Sequence, residues 1–250
     1  MTTVSNIYNF IDFTAPFNTA LEFDNVGLLV GDKEAEVTRA VIALDITAEV
    51  VQEAVKLKAQ LIISHHPVIF NPMKNLPSDS VPYLLARNQI AAICAHTNLD
   101  IAPSGVNTCL AEAVGLSNMK YHGKYAAVTG RLDRTMTAAE FARHVKKVLH
   151  CNGLRYTDRK DPIATVAVCG GAGGDFVYDA VALGVDALVT GEIKHHEILF
   201  ANAHNLCIVD GSHYRTEDLV IDNLLRRLSR TFMSVDFRKS EVFSDKMLYI

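Results

Sequence analysis

Residues 39–67 read RAVIALDITAEVVQEAVKLKAQLIISHHP, and this stretch decides the fold class. An apolar run of strand length, RAVIALDIT, precedes a segment with helical apolar spacing, and a second short apolar run, LIIS, follows it. Thr47 stands where a helix N-cap is expected, and Glu49 places a carboxylate in the first turn, where the helix dipole favours it. Strand, helix and strand in about thirty residues make a βαβ unit, with parallel strands and a right-handed crossover.

The alternation continues along the chain. SVPYLLARNQ is predicted as a helix with Pro82 in its first turn, and IAAICAH as a strand. Ser104 opens a predicted helix through GVNTCLAEAV that Gly115 ends. KYAAVTGRL reads as a strand, and Thr137 with Glu140 forms a capping box ahead of AAEFARHVKKVLH. TVAVCGG, DALVTGE and LCIVDG are further strands. FVYDAVALG, opened by Asp175, HHEILFANAH and a long RTEDLVIDNLLRRLSRTF are helices, and the tail KSEVFSDKMLYI reads as a returning strand. EFDNVGLLVGD, near the start, reads as a turn and a strand. The least regular stretch, GLSNMKYHGK at 115–124, marks the expected junction. The expected fold is therefore α/β with mostly parallel sheets, residues 1–122 forming one domain and 123–250 the other. The segment 218–250 could also join the first domain.

Composition bounds the function. The 250 residues are 49% hydrophobic and 21% charged, ordinary for a soluble globular chain that buries a core. A net charge of -4 argues against nucleic acid as a partner, and the single adjacent arginine pair, Arg226–Arg227, lies on the solvated face of a predicted helix. The first residues, MTTVSNIYNFIDFTAPF, contain no Lys or Arg and include Asp12, so they lack the charged start of a secretion signal. No apolar run approaches the roughly 18 residues of a membrane helix. The five cysteines are scattered without a C-x-x-C pair, as expected for reduced thiols in the cytoplasm.

The polar chemistry collects just past the strands, where ligands of open α/β sheets bind. His65 and His66 follow LIIS; His96 and Asp100 follow AAICA; Glu192, His195 and His196 follow DALVT; His213 and Glu217 follow LCIVD. Extended backbone points neighbouring side chains to opposite faces, and Pro67 favours extended geometry at His66. The doublet is thus expected to give one imidazole to each of two ions. His213 and Glu217 are spaced to share one face of a helix. Taken singly, these are also ordinary loop histidines, a surface His–Glu pair and, for Asp100, a turn residue. Together, His65, His66, Asp100, His213 and Glu217 form a nitrogen and oxygen set without sulfur, suited to Zn, Fe, Mn, Co or Ni.

Two carboxylates and neutral imidazoles leave two divalent ions with excess positive charge. That favours an activated water and an anionic small-molecule substrate. If Glu217 bridges, each ion has about three protein ligands and an open position, as catalytic sites do. His96, Glu192 and His196 are the candidates for general acid–base work. CGGAGGDF, at 169–176, suits either a phosphate approached by backbone N–H groups or a tight strand-to-helix turn. The turn is the favoured alternative, since neither G-x-G-x-x-G nor a P-loop is present. His122, His144, His150 and His204 read as structural or surface residues.

In order, DNVGLLVG, ISHHPVIF, AHTNLD, CGGAGGDF, TGEIKHH and DGSHYRTE span Asp24 to Glu217, and the chain resembles the Nif-three-like family. Members of that family are often labelled GTP cyclohydrolase 1 type 2 homologues. The resemblance implies two similar α/β domains with a binuclear metal site in the cleft between them, holding two divalent ions per chain. Its ligands would be His65, His66, Asp100, His213 and Glu217, with Glu217 bridging. It also implies a toroidal homohexamer, a trimer of dimers. Two departures are Phe23, where many relatives have Trp, and DGSH in place of D-A-G-H. The expected function is that of a metal-dependent hydrolase on an anionic, nucleotide-like substrate. For the cyclohydrolase label the attacked atom would be C8 of guanine. The alternative is a non-enzymatic protein that stores, delivers or senses metal.

Overall fold

A computed structural model describes residues 1–123 and 126–250. They form two compact units, Met1–Ala102 with Val220–Ser244, and Pro103–Leu219 with Asp245–Ile250. In chain order the strands are β1 (Gly27–Val30), β2 (Arg39–Ala43), β3 (Leu61–Ser64), β4 (Ala91–Cys94), β5 (Leu116–His122), β6 (Ala127–Met136), β7 (Arg155–Tyr156), β8 (Ile163–Cys169), β9 (Ala187–Thr190), β10 (Cys207–Asp210) and β11 (Asp236–Lys239).

The first unit holds the sheet β1-β4-β3-β2-β11. All its pairings are parallel except β1 with β4. Ser64 at the end of β3 lies opposite Ala43 on one side and Cys94 on the other, so three strands end side by side. The helix Ala48–Leu57 makes the crossover from β2 to β3, capped by the Thr47 hydroxyl, which accepts from Val50 N–H at 3.3 Å. Its Val50, Val51 and Ala54 pack on Val41, Ile62 and Ala92. Each fully buried Val or Ile contributes about 1.5–3 kcal/mol over an exposed one. This is the βαβ unit that residues 39–67 predict. The N-terminal helix Val4–Thr14, not anticipated from the sequence, begins at a Thr3–Asn6 capping box.

The second unit holds the sheet β5-β6-β8-β9-β10-β7. Only β8-β9 and β9-β10 are parallel. The expectation of mostly parallel strands therefore fails here. Residues 123–126, between β5 and β6, are too few for a crossover, and the two strands pair antiparallel. The stretch expected as a junction, 115–124, contains β5, so the units divide between Ala102 and Pro103 and not between 122 and 123. Its polar residues belong to an edge strand in which Leu116 alone is buried. Lys124 and Tyr125, the first two residues of the predicted strand KYAAVTGRL, lie outside the described residues.

Three helix boundaries depart from the predicted signals, and the last strand shifts; Asp175 lies in the short 3-10 helix Gly174–Phe176 and does not open the helix Val177–Ala182. Gly105 replaces Ser104 as the N-cap of the helix Val106–Val114, which Gly115 ends at φ +83°. The long C-terminal helix is two, His213–Glu217 and Leu219–Thr231, separated by Asp218. The last strand is β11, ahead of the predicted tail strand: Phe237 is buried beside β2, whereas Met247, Leu248 and Ile250 stay exposed and join no sheet among the described residues. The Thr137–Glu140 capping box forms as read and starts the helix Ala138–Val148. Phe141 and Val145 of that helix pack against Val166, Val189 and Val209 of the sheet.

Candidate metal centre

In the first unit, the aligned ends of β2, β3 and β4 bring together residues far apart in sequence. His65 and His66 leave β3, and His96 leaves β4 two residues past Cys94. One ring nitrogen from each of these three histidines lies within 4.8 Å of the other two. The ring centroids are 5.0 Å apart for His65–His66, 5.1 Å for His65–His96 and 5.5 Å for His66–His96. The expectation that the doublet diverges to opposite faces is corrected here. β3 ends at Ser64 and the chain bends at both histidines, so strand alternation no longer applies to them. Asp100, in the helix Thr97–Ile101, sets Oδ1 3.5 Å from His65 Nε2.

The other ring nitrogen of each histidine is committed. His65 is fully buried, and its Nδ1 lies 2.9 Å from the carbonyl oxygen of Ala95. His66 Nδ1 lies 2.9 Å from Asp45 Oδ1, and His96 Nδ1 lies 2.9 Å from Asp24 Oδ1. Carbonyls and carboxylates only accept, so these contacts place the proton on Nδ1 and the lone pair on Nε2. Burial alone would raise the Asp24 carboxyl, but hydrogen bonds from His96 and Thr97 outweigh it and hold the group well below the usual carboxylate range. Asp24 is therefore a fixed anion behind His96.

The second unit repeats the device with β8, β9 and β10. Gly171, Glu192 and His213 follow these three neighbouring parallel strands. His213 and Glu217 stand one turn apart in the helix His213–Glu217, with His213 Nε2 3.0 Å from Glu217 Oε2. His213 Nδ1 meets Glu192 Oε1 at 2.7 Å, so both ring nitrogens of His213 face a carboxylate. The Glu217 carboxylate is buried, only 4% of the residue being exposed. The glycine cluster frames this pair. Gly171 sits at φ +60°, and a Cβ there would fall 2.0 Å from Glu217 Oε1 and 3.3 Å from His213 Nε2. The Gly170 N–H donates to Asn107 Oδ1 at 2.8 Å, and the Gly171 N–H to Thr216 Oγ1 at 3.0 Å. Both N–H groups are thus used inside the protein, and CGGAGGDF serves as the turn that admits Glu217.

Among the sequence candidates, His65, His66, His96 and Asp100 meet in the first unit, and His213, Glu217 and Glu192 in the second. His196 is 66% exposed at the start of the helix His195–Ala203, 3.9 Å from Glu197, and joins neither group. His122, His144 and His204 bond to Thr129, the Val114 carbonyl and the Phe200 carbonyl respectively. Sequence reasoning missed Asp24 and Asp45. Asp45 sat inside a strand read as RAVIALDIT; β2 ends at Ala43, and the strand-end rule applied there would have found it.

Residues 2–246 match the family described as Duf34/NIF3 (NGG1p interacting factor 3). The chain belongs to this family. A Clostridium perfringens relative of the Duf34/NIF3 chain, named GTP cyclohydrolase 1 type 2 homolog, is 33% identical over 260 aligned residues, covering 99% of both proteins. The crystal structure of Staphylococcus aureus protein SA1388 superimposes with a TM-score of 0.92 at 30% identity, covering 100% of the Duf34/NIF3 chain and 99% of the other. Reduced HcgD from Methanocaldococcus jannaschii matches with a TM-score of 0.84 at 28% identity, over 96% and 98% of the two chains. In Duf34/NIF3 terms, the HHP, HTNLD, TGE and SHYRTE segments carry the two clusters. No helix among the described residues is long and apolar enough to cross a membrane.

Proposed function

We propose that this Duf34/NIF3 chain is a metal-dependent hydrolase in which His65, His66 and Asp100 from one unit, and His213 and Glu217 from the other, hold two divalent ions. The observation that carries the proposal is the state of the histidines. His65, His66, His96 and His213 each have Nδ1 against an acceptor-only oxygen, leaving Nε2 as the ligand nitrogen. With the Asp100 and Glu217 carboxylates, this donor set fits borderline divalent metals and lacks the thiolate that softer ions favour. When bound, the ions would supply Lewis acidity and ease the ionisation of water.

The chain's own groups do the rest. Glu217, held in place beside Gly171, would be one of the groups that hold the ions. Asp45 and Glu192 orient His66 and His213. His96, whose Nε2 lone pair is backed by Asp24, would take the proton from the attacking water. Glu192 and His196 are the other groups of the sequence reading that could move a proton, and Glu192 is engaged with His213. The substrate of this proposal is anionic and nucleotide-like, in line with the name of the Clostridium perfringens relative. The proposal extends to a cytoplasmic, ring-shaped homohexamer.

Metal content of the purified chain by mass spectrometry, together with turnover of guanosine and adenosine triphosphates and of phosphoesters, tests the proposal. Two ions per chain and turnover are expected, with both lost in Glu217→Gln. Full loading without turnover, and transfer of metal to an apo-acceptor, would favour a carrier of metal. Full turnover in a variant without ions would exclude the hydrolase. Sedimentation of the native chain tests the hexamer.

A further inference from the structure

Folding leaves two aromatic rings in the open beside the histidine cluster of the first unit. Phe23 is 64% exposed and Phe70 is 46% exposed. Their centroids lie 6.3 Å apart at an interplanar angle of 53°, within the range of direct aromatic contact. The segments that carry them are tied together, since Asn25 Nδ2 donates to the Ile69 carbonyl at 2.6 Å. Phe23 immediately precedes Asp24, whose carboxylate holds His96 and Thr97. Phe70 lies four residues beyond His66. The loop with His65 and His66 thus also carries Phe70, and the loop with Phe23 supplies the Asp24 partner of His96.

Two neighbouring exposed phenyl rings make an apolar patch of the kind that ligand-binding sites carry. We propose that Phe23 and Phe70 form a stacking platform for the planar ring of a substrate nucleobase, whose anionic group is drawn to the metal centre. This rests on the hydrolase proposal for the anion and adds how the base is held. Because the two rings touch and are tilted by 53°, a base that stacks on the outward face of one meets the other edge-on, and none slides between them. Phenyl rings carry no hydrogen-bonding group, so the platform reads planarity and ring area. It favours purines over pyrimidines and discriminates little between guanine and adenine.

The test is calorimetric titration of the zinc-loaded full chain with guanosine monophosphate and, separately, with ribose 5-phosphate. Wild type should bind the nucleotide about tenfold or more tighter, the scale of one base–aromatic stack. Phe23→Ala and Phe70→Ala should each weaken the nucleotide about tenfold, leave ribose 5-phosphate unchanged, and keep wild-type zinc content. Phe23→Trp should restore nucleotide binding. Equal binding of the two ligands, no binding of either, or an undiminished preference in both alanine variants overturns the platform. So does a change of oligomeric state in those variants with the preference intact, which would assign the pair to a subunit contact. Zinc uptake separates the two ideas. A zinc-replete chain without base preference loses only the platform. A chain that takes up no zinc loses the metal centre, and its own preference for the nucleotide then decides the platform.

Discussion

Gly171 and Glu217 occupy adjoining space so closely that a single added carbon would collide: a Cβ on Gly171 would stand 2.0 Å from Glu217 Oε1. The glycine also sits at φ +60°, a conformation L side chains rarely adopt. The carboxylate keeps its place because the neighbouring loop has no side chain there. Gly171→Ala should therefore destabilise the fold by about 1–3 kcal/mol and also displace the carboxylate from His213. Gly184→Ala is the control. It has a similar φ of +68° with open space around the missing Cβ, so it should carry the strain alone. Thermal unfolding and zinc titration of both variants distinguish them: only Gly171→Ala should lose metal affinity.

Asp45 touches His66 and is itself 41% exposed, so its removal should leave the fold stable. Asp45→Ala frees His66 Nδ1 to rotate or exchange tautomer. Outer partners of this kind typically contribute 10–100-fold to metal affinity, so we expect a loss of about that size in competition with a chromophoric chelator. Unchanged affinity would mean that Asp45 does not orient a ligand.

Asp186 ties the start of β9 to β8. Its carboxylate accepts from the Ala164 N–H at 3.0 Å, the Thr165 N–H at 2.8 Å and the Thr165 hydroxyl at 2.8 Å, and pairs with Arg159 at 2.6 Å. Burial raises its pKa, but these donors together lower it below the ordinary value. A depressed carboxyl stabilises the fold above the unfolded pKa, and that contribution is lost as pH falls through the folded pKa. Asp186→Asn should cost about 1–3 kcal/mol at pH 7, with the deficit shrinking in acid below about pH 4. Urea unfolding at pH 7 and pH 3 checks this; an equal deficit at both would rule out the charged form as the source.

Cys94, Cys151 and Cys207 are buried thiols. Burial pushes Cys151 up to about 11 and Cys207 up to about 12, and holds Cys94 well above its ordinary value. All three are protonated and inaccessible at neutral pH. A thiol reagent at pH 8 should leave them unmodified in the native chain and label them once it is unfolded. Native labelling mapped to any of the three would contradict this.

The helix and strand signals of residues 39–67 were complete within the sequence, because periodicity and capping are local. The same holds for Thr137 with Glu140, and for the one-turn spacing of His213 and Glu217. What the local signals could not supply was pairing. β5 was polar enough to pass for a connection, and only its ladder with β6 shows that it belongs to the second sheet. The roles of Asp24 and Asp45 were equally hidden. They become visible when strand register aligns Ala43, Ser64 and Cys94 and the loop before β1 meets His96. The sequence by itself determined the α/β class and which imidazoles and carboxylates follow the strands. Only the tertiary structure decided which nitrogen of each histidine keeps its proton, because that depends on acceptors up to 72 residues distant along the chain.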